Sequence, residues 1–421
     1  MRFKFKTDTL SRIAAVVSVI AVLCSSLFIE SIAVSGAGKT KVWDGSSDTE
    51  FEGAGTKDNP YKITSAAELY GFATARVNVK DSEQKYYVLT NDIYLNDVSS
   101  SDWMNNSPRE WAKMGADAAN DAALGFSGFF DGQGHTVYGM YYRTYKEKYA
   151  YGLIPRANGN AVISNVNVRY AYAAPNNNVD VYMGGILGCV DLAPGNKASV
   201  ITVSKCVVDN TVNFSDLANC HVGGIIGCGH YAKITVEYCG SAAKFNDYGN
   251  PAGSGWGGGI VASNVLATSY LRIVNSYSVV AFITGNLAPY LNDASAISDG
   301  TLYSAHSWWI SQGVNLTAVS GESAMQSDAA KVNMPNLGWD VWEINKSGYP
   351  IIKGSTAGKN VSDAPVGDYY DGKKGEVWSG KTAAGYKSGS GEKDDPYIIE
   401  TAEQLLHVRD YPDAPKGSTA K

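Results

Sequence analysis

The sequence predicts an all-β protein whose short strands stack coil upon coil as a β-solenoid. A glycine-apolar strand recurs from residue 152 onward, a second strand follows each copy, and the loops vary in length while the strands do not. Coil stacking explains this pattern, because strands must meet their neighbours at ~4.8 Å while loops project outward. Propeller blades have similar periods. They need four regular strands, however, and each repeat here shows two clear strands and a weaker third, as at 212–214.

The glycine-apolar unit is the clearest repeat. It reads GGILGC at 184–189, GGIIGC at 223–228, GGIVA at 258–262 and, in degenerate form, GLI at 152–154. Its aligned glycines are 33, 39 and 35 residues apart, at Gly152, Gly185, Gly224 and Gly259. The second strands align in steps of 40, 33 and 38, at Val166, Cys206, Cys239 and Tyr277. We interpret the unit as solenoid wall, because the lysine and helix of a phosphate-binding loop do not follow it.

The first 37 residues predict a secretory signal peptide. Basic residues at positions 2, 4, 6 and 12 precede an apolar stretch at 13–29, and small residues suited to a signal peptidase follow at 31–37. An uncleaved membrane anchor is the alternative, because the apolar stretch has a borderline length. We therefore expect an exported, extracellular chain, secreted or attached to the cell surface, with no membrane span after signal removal.

The predicted β-helix domain, 38–352, opens with a capped helix. Ser65 and Glu68 form a capping box, in which the Ser65 hydroxyl accepts from the Glu68 amide and the Glu68 side chain reaches back. Apolar residues at 69, 72 and 73 follow at helical spacing, so a short helix is expected from Ala66. Later predictions are strands at 86–89 and 92–95, a surface excursion at 96–123, a turn and strand at 129–137, and a weak helical pattern near 322–332.

The opening of this domain recurs near the C-terminus. The tryptophans at 43 and 378 are 335 residues apart, and the prolines at 60 and 396 are 336 apart. Residues 377–421 are therefore predicted to begin a second, truncated module, after a linker at 353–376 that is rich in Gly, Ser, Lys and Asp. A cap with nothing behind it cannot bury a core. We expect the chain to continue into downstream modules of a longer protein.

These segments resemble bacterial surface proteins that carry the GLUG motif, a short Gly-Leu-like repeat. The resemblance covers most of residues 42–352: the capped opening at 59–69, DIYL at 92–95, FDGQGHTV at 130–137, the glycine-apolar repeats and GYPI at 348–351. It implies a right-handed parallel β-helix in a secreted or wall-anchored protein, often in adhesion or surface display. Pro155 departs from the motif, which has glycine there, and no sorting signal is present, so wall attachment rests on analogy.

Cysteines occupy equivalent positions in neighbouring repeats. Cys189 matches Cys228 and Cys206 matches Cys239, while Cys220 has no counterpart. Each matched pair is expected to stack on adjacent coils. The two alternatives are a buried thiol ladder, in which cysteine acts as a small hydrophobe, and a disulfide bridge between coils.

Neither a metal site nor a catalytic site is predicted. The set Cys220, His221, Cys228 and His230 matches no zinc spacing. Carbohydrate-active β-helix enzymes need facing carboxylates, or calcium-binding acids beside a base. The acids of residues 152–290 do not recur in one column. No catalytic residue and no cofactor is therefore assigned, and the net charge of −6 argues against a nucleic-acid partner.

The best candidates for ligand binding are aromatic. The predicted glycan-stacking residues are Tyr138, Tyr141, Tyr142, Tyr145, Trp308 and Trp309, in a group that also includes Tyr149, Tyr151, Tyr170 and Tyr172. Aromatic rings offer flat faces on which sugar rings stack. The alternative is an aromatic ladder that seals adjacent coils.

The function expected from these features is that of a non-catalytic scaffold or adhesive element, which binds a glycan or a surface protein through its loops and its aromatic face. A polysaccharide lyase or hydrolase is the alternative from another class. A spacer without any ligand is the third possibility.

Overall fold

A computed structural model provides the coordinates of the chain. The chain divides into two compact units, Met1–Pro365 and Val366–Lys421, and every described residue belongs to the first unit. The described residues are 42–76, 84–112, 114–115, 125–143, 149–174, 181–191, 197–215, 220–230, 232–246, 256–265, 270–279, 287–288, 301–305, 308–310, 318–319 and 322–359.

Within these residues, short strands form five sheets along a solenoid. Sheet 1 contains β1 (Tyr61–Ile63), β2 (Tyr86–Leu89), β5 (Phe129–Asp131), β10 (Asn160–Ser164), β15 (Ser199–Ser204), β20 (Ala232–Glu237), β25 (Tyr270–Val274) and β28 (Thr301–Ala305). Sheet 2 contains β3 (Ile93–Tyr94), β6 (Thr136–Tyr138), β11 (Asn167–Arg169), β16 (Val207–Val208), β21 (Gly240–Ser241), β26 (Tyr277–Ser278), β29 (Trp308–Ile310) and β30 (Ala318–Val319).

Three smaller sheets complete each coil. Sheet 3 contains β7 (Tyr141–Tyr142), β12 (Tyr172–Ala173), β17 (Asn213–Phe214) and β22 (Lys244–Phe245). Sheet 4 contains β4 (Met114–Gly115), β8 (Tyr149–Tyr151), β13 (Val181–Gly184), β18 (Cys220–Gly223), β23 (Trp256–Gly258) and β27 (Leu287–Ala288). Sheet 5 contains β9 (Ile154–Ala157), β14 (Leu187–Val190), β19 (Ile226–His230) and β24 (Val261–Val265).

The chain visits the sheets in a fixed order, so each coil repeats the one before it. Strands β10 to β14 lie in sheets 1 to 5 in turn, and β15 to β19 do the same. Neighbouring coils pair in parallel, with Ile201 opposite Ile234 and Val203 opposite Val236. These four side chains are fully buried. Because β-branched residues pack well on a pleated surface, such ladders form the core. The predicted all-β solenoid is confirmed.

A left-handed backbone residue marks the corner between sheets 1 and 2. Its φ lies between 50° and 53° in successive coils, at Gln133, Asn165, Lys205, Tyr238 and Asn275. The predicted alignment places Tyr277 opposite Cys239. In the structure, Tyr277 of β26 pairs with Gly240 of β21, the residue after Cys239. The last predicted step of 38 is therefore wrong, and Ser276 is the counterpart of Cys239. Tyr277 consequently faces outward, where its hydroxyl donates to Pro350 O at 2.7 Å.

The glycine-apolar units form the corner between sheets 4 and 5. A Cβ on Gly184 would lie 2.1 Å from Leu187 O, and one on Gly223 would lie 1.8 Å from Ile226 O. Only glycine permits this approach of two backbones, so the glycine recurs in every unit. The units are solenoid wall, as the sequence predicts.

A short helix precedes the coils, as predicted. Helix α1 (Ala66–Gly71) continues into a π-helical turn at Phe72–Arg76. The Ser65 hydroxyl accepts from the Glu68 amide at 3.2 Å, and the Glu68 carboxylate accepts from the Ser65 amide at 3.0 Å. Part of the segment expected to be a surface excursion is also buried. A 3₁₀ turn at Trp103–Asn105 and the indole of Trp111, which donates to Gly152 O at 3.1 Å, pack inward.

The C-terminal part of the described chain covers the outer side of sheet 2. It comprises a 3₁₀ turn at Glu322–Met325, α2 (Ala329–Asn333), the antiparallel pair β31 (Trp342–Ile344) and β32 (Pro350–Ile352), and a 3₁₀ turn at Thr356–Gly358. Trp342 packs edge-on against Tyr277, with ring centroids 5.4 Å apart. Strands β6, β11 and β16 are consequently buried on both faces. The contacts continue to Lys359, beyond the predicted domain end at residue 352.

Several predictions fall outside the described residues. These are the signal peptide at 1–37, the second module at 377–421 and the linker from residue 360 onward. Within the described part of the chain, no helix is long and apolar enough to cross a membrane.

Candidate functional site

Four of the tyrosines singled out in the sequence, Tyr138, Tyr141, Tyr170 and Tyr172, gather in an aromatic cluster outside the solenoid core. We call it the outer aromatic cluster. Its buried members are Val42, Tyr94, Val98, Trp103, Tyr138 and Tyr141, and its partly buried members are Met104, Tyr170 and Tyr172. It is separate from the core cluster that fills the coils.

Three of the predicted stacking residues are buried, at 1% to 6% exposed. The ring of Tyr138 stacks on Tyr94, with centroids 4.5 Å apart and planes 3° apart. Tyr141 stacks on Tyr172 at 5.8 Å and 19°. Tyr142 lies inside the coils, where its hydroxyl donates to Gly152 O at 2.9 Å. Parallel in-register strands hold equivalent rings one rung apart, so the rings cover one another's faces. Tyr138 and Tyr141 therefore pack in aromatic ladders, while Tyr142 packs edge-on against Tyr151 in the core.

The other three predicted residues lie where the structure gives no side-chain contacts. Tyr145 is outside the described residues. Trp308 and Trp309 belong to β29, and their backbones pair in register with Tyr277 and Ser278 of β26. Their side chains are outside the described part of the structure, so their role stays a prediction.

The rim of the outer aromatic cluster remains accessible. Tyr170 and Tyr172 are half-buried there. Tyr172 is in register with Asn213 on the next coil, and Asn213 with Lys244 on the one after. The Asn213 Oδ1 accepts from Asn246 Nδ2 at 2.7 Å and from the Ser215 hydroxyl at 3.3 Å. The rim therefore places two aromatic rings beside a ladder of amides and hydroxyls.

Tyr170 has an unusual backbone conformation, with φ at 52°. Aromatic residues rarely adopt positive φ, so the surrounding structure must hold it there. Its amide donates to the Thr211 hydroxyl at 2.7 Å. Gly139, its counterpart one coil earlier, has φ at 78°. Gly139 and Tyr170 thus share this conformation, and Tyr170 displays a ring where the previous coil has none.

A buried ion pair lies beneath the rim. Arg169 Nε is 2.6 Å from Asp209 Oδ2, and both side chains are buried. The guanidinium lies 5.8 Å from the ring centre of Tyr138 and 5.6 Å from that of Tyr170, within cation–π range. Burial acts to lower the pKa of Arg169, but the Asp209 carboxylate outweighs it and the pKa is raised. Arg169 therefore holds the underside of the Tyr170 ring as a permanent cation.

A second polar network joins the C-terminal segment to the early coils. Asp92 accepts from the Thr136 amide at 3.0 Å, from the Thr356 hydroxyl at 2.5 Å and from Lys359 Nζ at 2.9 Å. His135 Nδ1 lies 3.3 Å from the same carboxylate. Burial acts to raise the pKa of Asp92, but these donors outweigh it and hold the pKa well below its usual range.

Asp92 is placed to orient the imidazole of His135, as a carboxylate does in many hydrolases. A hydrolase also needs a nucleophile. Within the described residues, no hydroxyl or thiol is hydrogen-bonded to His135 Nε2. Asp92 also anchors Thr356 and Lys359 to the early coils.

The cysteines are buried free thiols throughout the described residues. Cys189 pairs in register with Cys228, as the repeats predict. Burial, together with the neighbouring Cys206 thiol, raises the pKa of Cys239 well above its ordinary value. Of the two alternatives weighed for these pairs, the structure shows the thiol ladder.

Cys220 and His221 cannot act as joint metal ligands, because they point to opposite faces of β18. Cys220 lies in the core, while the His221 ring lies beside Tyr182 on the outer face, with centroids 4.9 Å apart. No group of three His, Cys, Asp or Glu residues arranged to hold a metal is found in the described residues.

Sequence reasoning missed the partners of the tyrosines. Tyr94, Tyr138, Arg169 and Asp209 occupy one column of sheet 2, since Tyr94 pairs with Tyr138, Tyr138 with Arg169, and Val168 with Val208. The repeat register predicts this column. The repeats, however, are recognisable in the sequence only from residue 152 onward, and Tyr94 and Tyr138 precede that point.

Comparisons with known proteins show remote similarity only. No family model matches the chain. Halomucin of Haloquadratum walsbyi is 25% identical over 177 residues, which are 42% of this chain and 2% of Halomucin. The chain thus spans a small fraction of that relative. A crystal structure of a candidate immunoglobulin A1 protease from Bacteroides ovatus matches with a TM-score of 0.42 and 16% identity, over 72% of this chain and 94% of that one.

Proposed function

We propose that this chain is a non-catalytic β-solenoid module, exported and displayed at the cell surface, which binds a glycan at the rim of its outer aromatic cluster. One observation carries the proposal. Tyr170 and Tyr172 are half-exposed on an otherwise buried aromatic cluster, and Tyr172 is in register with Asn213. No other described part of the site combines accessible rings with adjacent amide and hydroxyl groups.

The chemistry of the rim suits a pyranose ring. A sugar has an apolar face of C–H bonds, which stacks on an aromatic ring, and an edge of hydroxyls that need partners. The Asn213 Oδ1 already accepts two hydrogen bonds, so its Nδ2 is the group that would donate to a sugar hydroxyl. Stacking of Tyr172 on Tyr141 and the Arg169 cation beneath Tyr170 hold the rings in place. Rings that are already ordered lose little entropy on binding.

The acids near the candidate site support binding rather than catalysis. Asp92 and Asp209, both beside sheet 2, are engaged by Lys359 and Arg169 respectively. A general acid needs a raised pKa, whereas the donors around Asp92 lower its pKa. We therefore propose a scaffold or adhesive role in place of a polysaccharide lyase or hydrolase. Export through residues 1–37 and membership of the GLUG-motif proteins belong to the same proposal.

A glycan array probed with the full chain tests this function. We expect a Tyr172→Ala variant to bind the best glycans about 2- to 13-fold more weakly, since a stacking contact on an aromatic face is worth about 0.5–1.5 kcal/mol. Tyr172→Phe keeps the ring and should bind nearly as wild type. Tyr182→Ala, which removes a half-buried ring from sheet 4, is the matched control and should bind normally.

The same experiment separates the alternatives. A chain that binds no glycan on the array is a spacer or a protein binder, and the glycan proposal fails. Equal binding by wild type and Tyr172→Ala would place the site elsewhere. A fall in polysaccharide viscosity on incubation with the full chain would identify an enzyme.

A further inference from the structure

The outward face of sheet 1 is the most regular exposed surface of the described chain. Its side chains form three columns that cross the coils in register. The first column includes Val200 and Lys233, the central one Thr235 and Arg272, and the third Asp131, Ser204 and Glu237. Val200 is 47% exposed on this face.

Two opposite charges on this face lack a partner within the described chain. Lys233 and Glu237 lie on the same strand, β20, with Thr235 between them. Four residues of extended strand separate them by ~13 Å, too far for an ion pair. Neither forms a salt bridge or side-chain hydrogen bond with another described residue. On β20 the face therefore presents one positive and one negative position in a fixed geometry, beside Arg272 on β25 and Asp131 on β5.

This arrangement is complementary to itself. A two-fold axis parallel to the solenoid, through the central column, reverses the strand direction and keeps the coil order. It brings Lys233 of one copy opposite Glu237 of the other, and the reverse pair forms as well, as an isologous interface requires. It also brings Val200 opposite Ser204. A two-fold axis along the strands through β20 would instead bring Lys233 opposite Lys233, which is repulsive.

We infer that the outward face of sheet 1 binds the same face of a second copy of this chain, with the two solenoids parallel and side by side. The inference does not depend on glycan binding, which involves sheets 2 and 3. Arg272 meets its own copy on this axis, and the repulsion between the two guanidinium groups limits the affinity. Parallel copies also suit display from one surface, because all of them then point the same way.

The size of the face sets the strength of the association. Four rungs at ~4.8 Å and five residues at ~3.3 Å give about 300 Å² on each copy. That is well below the ~800 Å² per partner of a stable complex, so we expect a weak dimer that forms at high protein concentration. Its affinity should fall at high ionic strength, since exposed charges are screened.

Sedimentation equilibrium of the full chain with charge-reversal variants tests the inference. Lys233→Glu and Glu237→Lys should each weaken the dimer about 10-fold or more, because both symmetric pairs become repulsive. An equimolar mixture of the two variants should form a heterodimer, since each unlike pair is then attractive again. The double variant Lys233→Glu/Glu237→Lys should dimerise like wild type.

Controls and contrary results are equally definite. Lys331→Glu and Glu343→Lys make the same changes at exposed positions on the C-terminal segment, and both should dimerise normally. Far-ultraviolet circular dichroism checks that every variant is folded. A wild type that stays monomeric at all concentrations would overturn the inference. So would a double variant or a variant mixture that does not recover the association.

Discussion

Ile225 tests the coil register most sharply among the core residues. Its side chain is fully buried. Its amide donates to Ile260 O at 3.0 Å, and its carbonyl accepts from the Ile186 amide at 3.1 Å, so it lies between two aligned isoleucines. Ile225→Ala removes several methyl and methylene groups from this ladder and leaves a cavity that the neighbouring coils cannot close.

The size of the effect follows from that burial. Large-to-small changes at fully buried aliphatic positions cost about 2–5 kcal/mol, of which the lost transfer free energy and the cavity are the two parts. We expect Ile225→Ala to fall in that range. Ile225→Asp should cost more, because it places an unpaired carboxylate in an apolar ladder.

Urea unfolding followed by circular dichroism measures the change. Val332→Ala is the control, since that valine is 79% exposed on α2 and should alter the free energy of unfolding by no more than about 0.5 kcal/mol. An unfolding midpoint for Ile225→Ala or Ile225→Asp that equals the wild-type midpoint would refute the register of the glycine-apolar units.

Three further predictions concern the network, the corners and the thiols. Asp92→Asn should destabilise the chain by about 1–3 kcal/mol and speed hydrogen exchange near Lys359. Because the folded pKa of Asp92 is depressed, wild type should lose this stability as the pH falls below about 4, while the variant should show a flatter profile; equal profiles would contradict the network. Lys205→Gly should stabilise by about 0.5–1 kcal/mol in thermal melts, since φ is 53° there, and a destabilised variant would argue against that corner. Cys206 and Cys239 should resist a thiol reagent until urea unfolds the chain, and rapid reaction of the native protein would contradict their burial.

The repeat pattern predicted the coils because it reflects constraints that neighbouring strands share. Glycine is required wherever two backbones approach, as at Gly184 and Gly223, so it recurs. The inward ladders need β-branched side chains, so these recur as well. The alignment is wrong by one residue in the last coil. Ser276 stands there in place of the cysteine of the preceding coils, and Tyr277, which follows Ser276, was matched to Cys239 instead.

The candidate site was predictable in composition but not in geometry. Tyr138 and Tyr141 do lie in one aromatic cluster, yet sequence does not reveal which ring covers which. The rings of Tyr138 and Tyr141 are covered by Tyr94 and Trp103, which belong to coils that show no clear repeat in sequence. Burial of sheet 2 by residues 322–359 was likewise unpredictable, because the contact between Asp92 and Lys359 spans 267 residues.

Hydrogen exchange with and without a bound glycan tests the central claim most directly. The glycan that binds most tightly on the array would be added at saturation to the full chain. We predict slower exchange of the amides of β12 and β17, which carry Tyr172 and Asn213, with no change in sheet 1. Slower exchange in sheets 4 or 5 alone, or none anywhere despite binding, would contradict a ligand site at the rim of the outer aromatic cluster.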